Sequence, residues 1–103
     1  VSANLTIVRE TPAAVQVGGG IDVANAGSAL ARSAEIITPG ATVRVDLAKL
    51  GSADSVTLSV LLAWAARARQ QRGRLIFTSI PLRLRAIAHL SQAEPLLGLA
   101  EAA

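Results

Sequence analysis

Residues 43–64 read VRVDLAKLGSADSVTLSVLLAW. In the first part Val43, Val45 and Leu47 alternate with Arg44 and Asp46, so 42–47 reads as a strand rich in β-branched residues. Ala48 to Ala53 reads as a connection. Asp54 then stands where a helix N-cap belongs, and apolar residues at helical spacing follow it. That helix is expected to run to about Arg72, with Gly73 as its stop. Strand, short loop and helix in this order make the first half of a β-α-β unit.

The same alternation extends both ways along the chain. Leu5 to Val8 reads as a short strand, broken at Thr11-Pro12. Ala13 to Val17 reads as a second strand, close enough to pair antiparallel with the first. Gly18 to Gly20 ends it. A helix is expected from about Val23 to Ile36 with Asp22 as N-cap, closed by Pro39-Gly40. Beyond Gly73, Leu75 to Thr78 is a fourth strand, and Pro81 suits a helix start. Leu84, Ile87, Ala88 and Ser91 share one helical face. Leu96, Leu97 and Leu99 fit a last short helix beyond Pro95. The expected fold is a single α/β domain over 1–103. A small mixed sheet of about four strands, the first antiparallel, packs against about four helices.

Composition limits the chemistry. The chain has 103 residues, 51% of them hydrophobic, enough to build one core from aliphatic side chains. It contains no Cys and a single His. Disulfides, thiolate metal sites and a Cys nucleophile are therefore excluded, and no metal or cofactor is expected. The net charge is +3. Arg67, Arg69, Arg72, Arg74, Arg83 and Arg85 fall in a stretch without an acid, a pattern that suits an anionic partner or a solvated face. Only one aromatic residue, Phe77, falls among those arginines, too little for a stacking platform, which argues against nucleic acid. No apolar run approaches the roughly 18 residues of a membrane span. With no signal-like start either, the expected location is cytoplasmic.

The helix after Asp54 carries three arcs at 100° per residue. Leu58, Leu61, Leu62 and Ala65 should face the sheet. Ser55, Ser59, Ala63 and Ala66 form an arc of small residues. Val56, Thr57, Val60 and Trp64 form a third, expected either as an exposed protein interface anchored by Trp64 or as the rim of the core. Asp54 and Ser55 sit at the helix N-terminus after a strand, the edge where α/β sheets carry functional sites. Asp54 is a cap in its own right. The backbone N–H groups there also favour an anion, including a phosphate on Ser55.

Catalysis fits the residues poorly. Asp46 and Asp54 form a candidate carboxylate pair, but no aromatic sugar platform accompanies them. His89 is expected on the outer side of its helix. Gly18 to Gly20 lacks the spacing of a phosphate-binding loop.

The segment 43–64, followed by RGRLIFTSIPLRLRAIAHL at 72–90 and a Leu-rich tail, resembles the STAS domain family. The likeness runs from Leu5 to about Leu99. Within the family it is most similar to the MlaB group, small cytoplasmic subunits of bacterial phospholipid-trafficking ABC transporters. More distantly it is similar to the anti-sigma factor antagonists. The resemblance implies a non-enzymatic role. The subunit would bind the transporter's ATPase, support its assembly and activity, and so reach the inner face of the cytoplasmic membrane through its partner. The contact would use Asp54, Ser55, Val56, Thr57, Ser59, Val60 and Trp64. In the antagonists the hydroxyl matching Ser55 is phosphorylated by an anti-sigma factor kinase, and Asp46 matches the acid of the preceding turn. The family's usual small residue and Gly after the Asp-Ser pair are replaced by Val56-Thr57, which favours docking over kinase recognition. Thr57 adds a hydroxyl the pattern does not contain.

Overall fold

A computed structural model of the chain describes residues 4–97. Strands β1 (Leu5–Thr11) and β2 (Ala14–Gly19) form a hairpin. Helix α1 (Ala26–Ala31) and a 3-10 turn at Ser33–Glu35 lead to β3 (Thr42–Leu50). Helix α2 (Ser55–Gln70), strand β4 (Arg74–Thr78), helix α3 (Leu82–Leu90) and a 3-10 turn at Glu94–Leu97 complete the described chain. The sheet order is β1-β2-β3-β4. The first pair is antiparallel and the other two are parallel, so the fold is a mixed α/β sheet as expected.

One face of the sheet is apolar and covered. Val15, Val17, Val43, Val45, Leu47, Leu75 and Phe77 are all buried beneath the helices. Their neighbours along the strands, such as Thr42, Arg44 and Gln16, are exposed or half-buried. Alternation of this kind is what a sheet with one packed face requires.

Three expectations are corrected. First, β3 runs to Leu50, where a connection from Ala48 was expected. Gln16 pairs with Asp46, whereas Gly18 pairs with Lys49, so β3 carries one extra residue there. Asp46 Oδ1 accepts the Ala48 N–H at 2.9 Å across this bulge. The extra residue lets both Leu47 and Leu50 point inward although they are an odd number apart.

Second, α1 is shorter than 23–36, and Asp22 is not its N-cap. The Asp22 N–H donates to Asn25 Oδ1 at 2.8 Å, and the Asn25 N–H donates to Asp22 Oδ1 at 2.9 Å. Asn25 Nδ2 also donates to the Gly20 carbonyl at 2.9 Å. These bonds hold 22–25 as a closed turn, a local alternative to helix that Asp and Asn side chains favour. At the other end Arg9 from β1 donates to the carbonyls of Glu35 and Ile36, ending the 3-10 turn.

Third, the left-handed residue after α2 is Arg72, with φ 61°, and not Gly73. The Gly73 N–H bonds the Ala68 carbonyl at 2.8 Å and the Arg72 N–H bonds that of Arg69 at 3.0 Å, the pairing of a Schellman motif. Gly73 serves a different need: a Cβ there would lie 2.8 Å from the Ala41 carbonyl oxygen. Among the smaller departures, Ser91 is exposed and the last helix is the 3-10 turn. Leu99 lies outside the described residues.

Candidate functional site

The parallel strands β2, β3 and β4 all end at one edge of the sheet. The tip of α2 rises from that edge. Asp54 caps it in extended conformation, and its Oδ1 accepts the Thr57 N–H at 2.9 Å. Ser55 is the first helical residue and is exposed. One turn on, Ser59 is also exposed, and its hydroxyl donates to the Ser55 carbonyl at 2.8 Å. Val56 is half-buried. In the loop after β2, Val23 stands 81% exposed at the same edge of the sheet.

A relay of hydrogen bonds beneath the surface fixes the tip. The Ile21 N–H donates to Ser52 Oγ at 2.9 Å. Ser52 Oγ and Thr57 Oγ1 lie 2.8 Å apart, and Thr57 Oγ1 lies 2.9 Å from Asp54 Oδ1. The arrangement that satisfies every hydroxyl runs from Ser52 to Thr57 and from Thr57 to the carboxylate. Nearby, the Gly51 N–H donates to the Gly19 carbonyl at 2.6 Å. The loops after β2 and β3 are therefore tied to each other and to the first turn of α2. The Thr57 amide, then its hydroxyl, hold the Asp54 carboxyl below its ordinary pKa, against a smaller opposing effect of burial.

Of the two expectations for the third arc of α2, the exposed interface is the one the structure contradicts. Thr57, Val60 and Trp64 are buried by the domain's own chain. Helix α1 lies over this side of α2, and Trp64 is 0% exposed, with its indole N–H donating to the Ala29 carbonyl at 3.0 Å. Ala29 and Trp64 belong to one buried cluster, against which the half-buried Ala26 packs. These three side chains cannot present a surface to a partner in this fold. The expected sheet-facing arc is largely as read: Leu58, Leu61 and Ala65 are buried and Leu62 is half-buried. The small-residue arc of Ser55, Ser59, Ala63 and Ala66 is the exposed one.

The other candidates are separate from the tip. Asp46 is engaged with the β3 bulge, and Asp54 with the helix cap, so each carboxylate serves its own stretch of backbone. His89 is exposed, with Nδ1 2.8 Å from Glu94 Oε1. Among the described residues no group of three His, Cys, Asp or Glu side chains is placed to hold a metal. Arg67, Arg69, Arg72 and Arg74 are exposed at the opposite edge, where α2 ends and β4 begins. Arg67 donates to Ser33 Oγ at 3.0 Å.

The tip thus sets an exposed Ser directly behind a capping Asp, after a parallel strand. The family model described as "Mlab, STAS domain" matches residues 7–98. The chain is a STAS-domain protein. A search of the curated proteins finds no match to it. STAS domains are in general binding and regulatory modules and not enzymes. Among the described residues no helix of this STAS domain is long and apolar enough to cross a membrane. The sequence missed the Ser52–Thr57 relay, although Ser52, Asp54 and Thr57 at short spacing were its signal.

Proposed function

We propose that this STAS domain is a non-enzymatic accessory subunit that docks on the ATPase of a phospholipid-trafficking ABC transporter. It would act in the cytoplasm at the inner face of the membrane and support assembly of the transporter. The observation that carries the reading is the exposure of Ser55 on a helix tip held rigid by the relay beneath it. A preformed tip loses little conformational entropy when a partner seats on it. With Thr57, Val60 and Trp64 turned inward, the docking face reduces to Asp54, Ser55, Val56 and Ser59. The mechanism is differential binding: the subunit favours the assembled ATPase because it contacts that state better than the loose one.

The test is titration calorimetry of the purified domain with the ATPase subunit. Ser55→Glu adds charge and bulk at the tip and should weaken the complex by at least about tenfold, with an unchanged melting temperature. Equal affinity for the variant and the parent would remove the tip as the docking site.

The exposed Ser55 hydroxyl at a helix N-terminus also favours a second reading, as an anti-sigma factor antagonist switched by phosphorylation. Incubation with the anti-sigma factor kinase would then add a phosphate mass that Ser55→Ala abolishes. A parent protein that stays unlabelled rejects this second reading.

A further inference from the structure

Helix α3 carries an apolar ridge that the fold does not cover. Leu84 and Ala88 of α3 are buried, each at 0% exposure. At 100° per residue, Leu82, Ala86 and Leu90 fall on the opposite side. Leu82 is 84% exposed and Leu90 is 83% exposed, and Ala86 between them is exposed too. The spacing i, i+4, i+8 makes one continuous ridge about 12 Å long. Arg83 flanks it on one side and Arg85 on the other, both exposed. The helix LRLRAIAHL has no acidic residue, and among the described residues neither arginine forms an ion pair.

We propose that this ridge is a second docking surface, for an acidic amphipathic helix of a partner protein. Ridges at i±4 pack into the grooves of another helix, and the small Ala86 at the centre lets the partner's backbone approach. The two leucines anchor the ends of the contact, and Asp or Glu residues beside the partner's apolar seam meet Arg83 and Arg85.

Charge decides among occupants. A second copy related by a two-fold axis would set Arg83 and Arg85 against the same arginines, an arrangement of like charges. A membrane surface would be met by only two large apolar side chains, too few for a stable interfacial helix. For single-stranded nucleic acid there is no stacking platform, since the chain's Trp64 and Phe77 are both buried. The ridge lies on α3 and the tip on α2, so the residues of each can be altered without touching those of the other.

The test uses two synthetic helical peptides with the same leucine seam, one flanked by Glu and the other by Lys. Binding is followed by fluorescence anisotropy and mapped by amide chemical shifts. The Glu peptide should bind at least about tenfold more tightly, with shifts centred on α3. The Leu82→Ser/Leu90→Ser variant should lose this binding, while Ser55→Glu keeps it. Arg83→Glu/Arg85→Glu leaves the apolar ridge intact and should reverse the preference between peptides, which keeps the test valid if the leucine variant folds poorly. Equal affinity for both peptides overturns the proposal. So does flotation with phosphatidylglycerol vesicles, or a sedimenting dimer, that the leucine variant abolishes.

Discussion

The Thr57 hydroxyl lies 2.9 Å from Asp54 Oδ1, and the same oxygen receives the Thr57 amide at 2.9 Å. One residue thus satisfies the helix cap twice, through its backbone and through its side chain. The hydroxyl also joins the cap to Ser52 and, through it, to the loop after β2. Stability and presentation of the tip are therefore linked at a buried site.

Thr57→Val keeps the shape of the side chain and removes the hydroxyl. It should cost about 0.5–1.5 kcal/mol, the net worth of a hydrogen bond, because the exposed Asp54 and half-buried Ser52 can turn to water. Asp54→Ala should cost about 1 kcal/mol as a lost cap. Thr57→Ser should recover most of the loss. Urea unfolding measures all three, and a parental midpoint for Thr57→Val would show the relay to be dispensable.

The lowered Asp54 pKa fixes the sign of a pH effect. The folded-state value lies below the unfolded one, so the stabilisation is fully present above the unfolded value, about 3.9. It is lost as pH falls through the lower, folded value. The stability gap between the parent and Asp54→Asn should therefore be constant at neutral pH and close in acid. A carboxyl NMR titration should place Asp54 at higher pH in Thr57→Val than in the parent. Identical titrations would contradict the role given to the hydroxyl.

Trp64 is a core residue in this fold. Trp64→Ala should destabilise the domain by about 3–5 kcal/mol. Trp64→Phe fills most of the volume but leaves the Ala29 carbonyl with only the Arg32 N–H at 3.2 Å, and should cost about 0.5–1.5 kcal/mol for the lost hydrogen bond. Guanidinium unfolding separates the two. A Trp64→Ala protein that melts like the parent yet fails to bind its partner would place the ring at the surface after all.

The sequence by itself determined the order of elements, the antiparallel first pair, the capped start of α2 and the main core positions. Each of these is written in local periodicity or local capping chemistry: Val43, Val45 and Leu47 alternate, and Asp54 precedes a helical run. The tertiary structure alone decided the end of β3 and the fate of Trp64, whereas the start of α1 was set by a local turn that periodicity does not show. At Leu50 a bulge changes the parity of the strand, and parity is set by pairing with β2, not by the strand itself. At Asp22 a closed turn competes with the helix and wins. Trp64 lies on an arc that a helical wheel leaves open, and only the packing of α1 onto α2 closes it. Periodicity tells which side chains share a face. Which element lies over that face depends on contacts between residues far apart in the chain, and those exist only once it has folded.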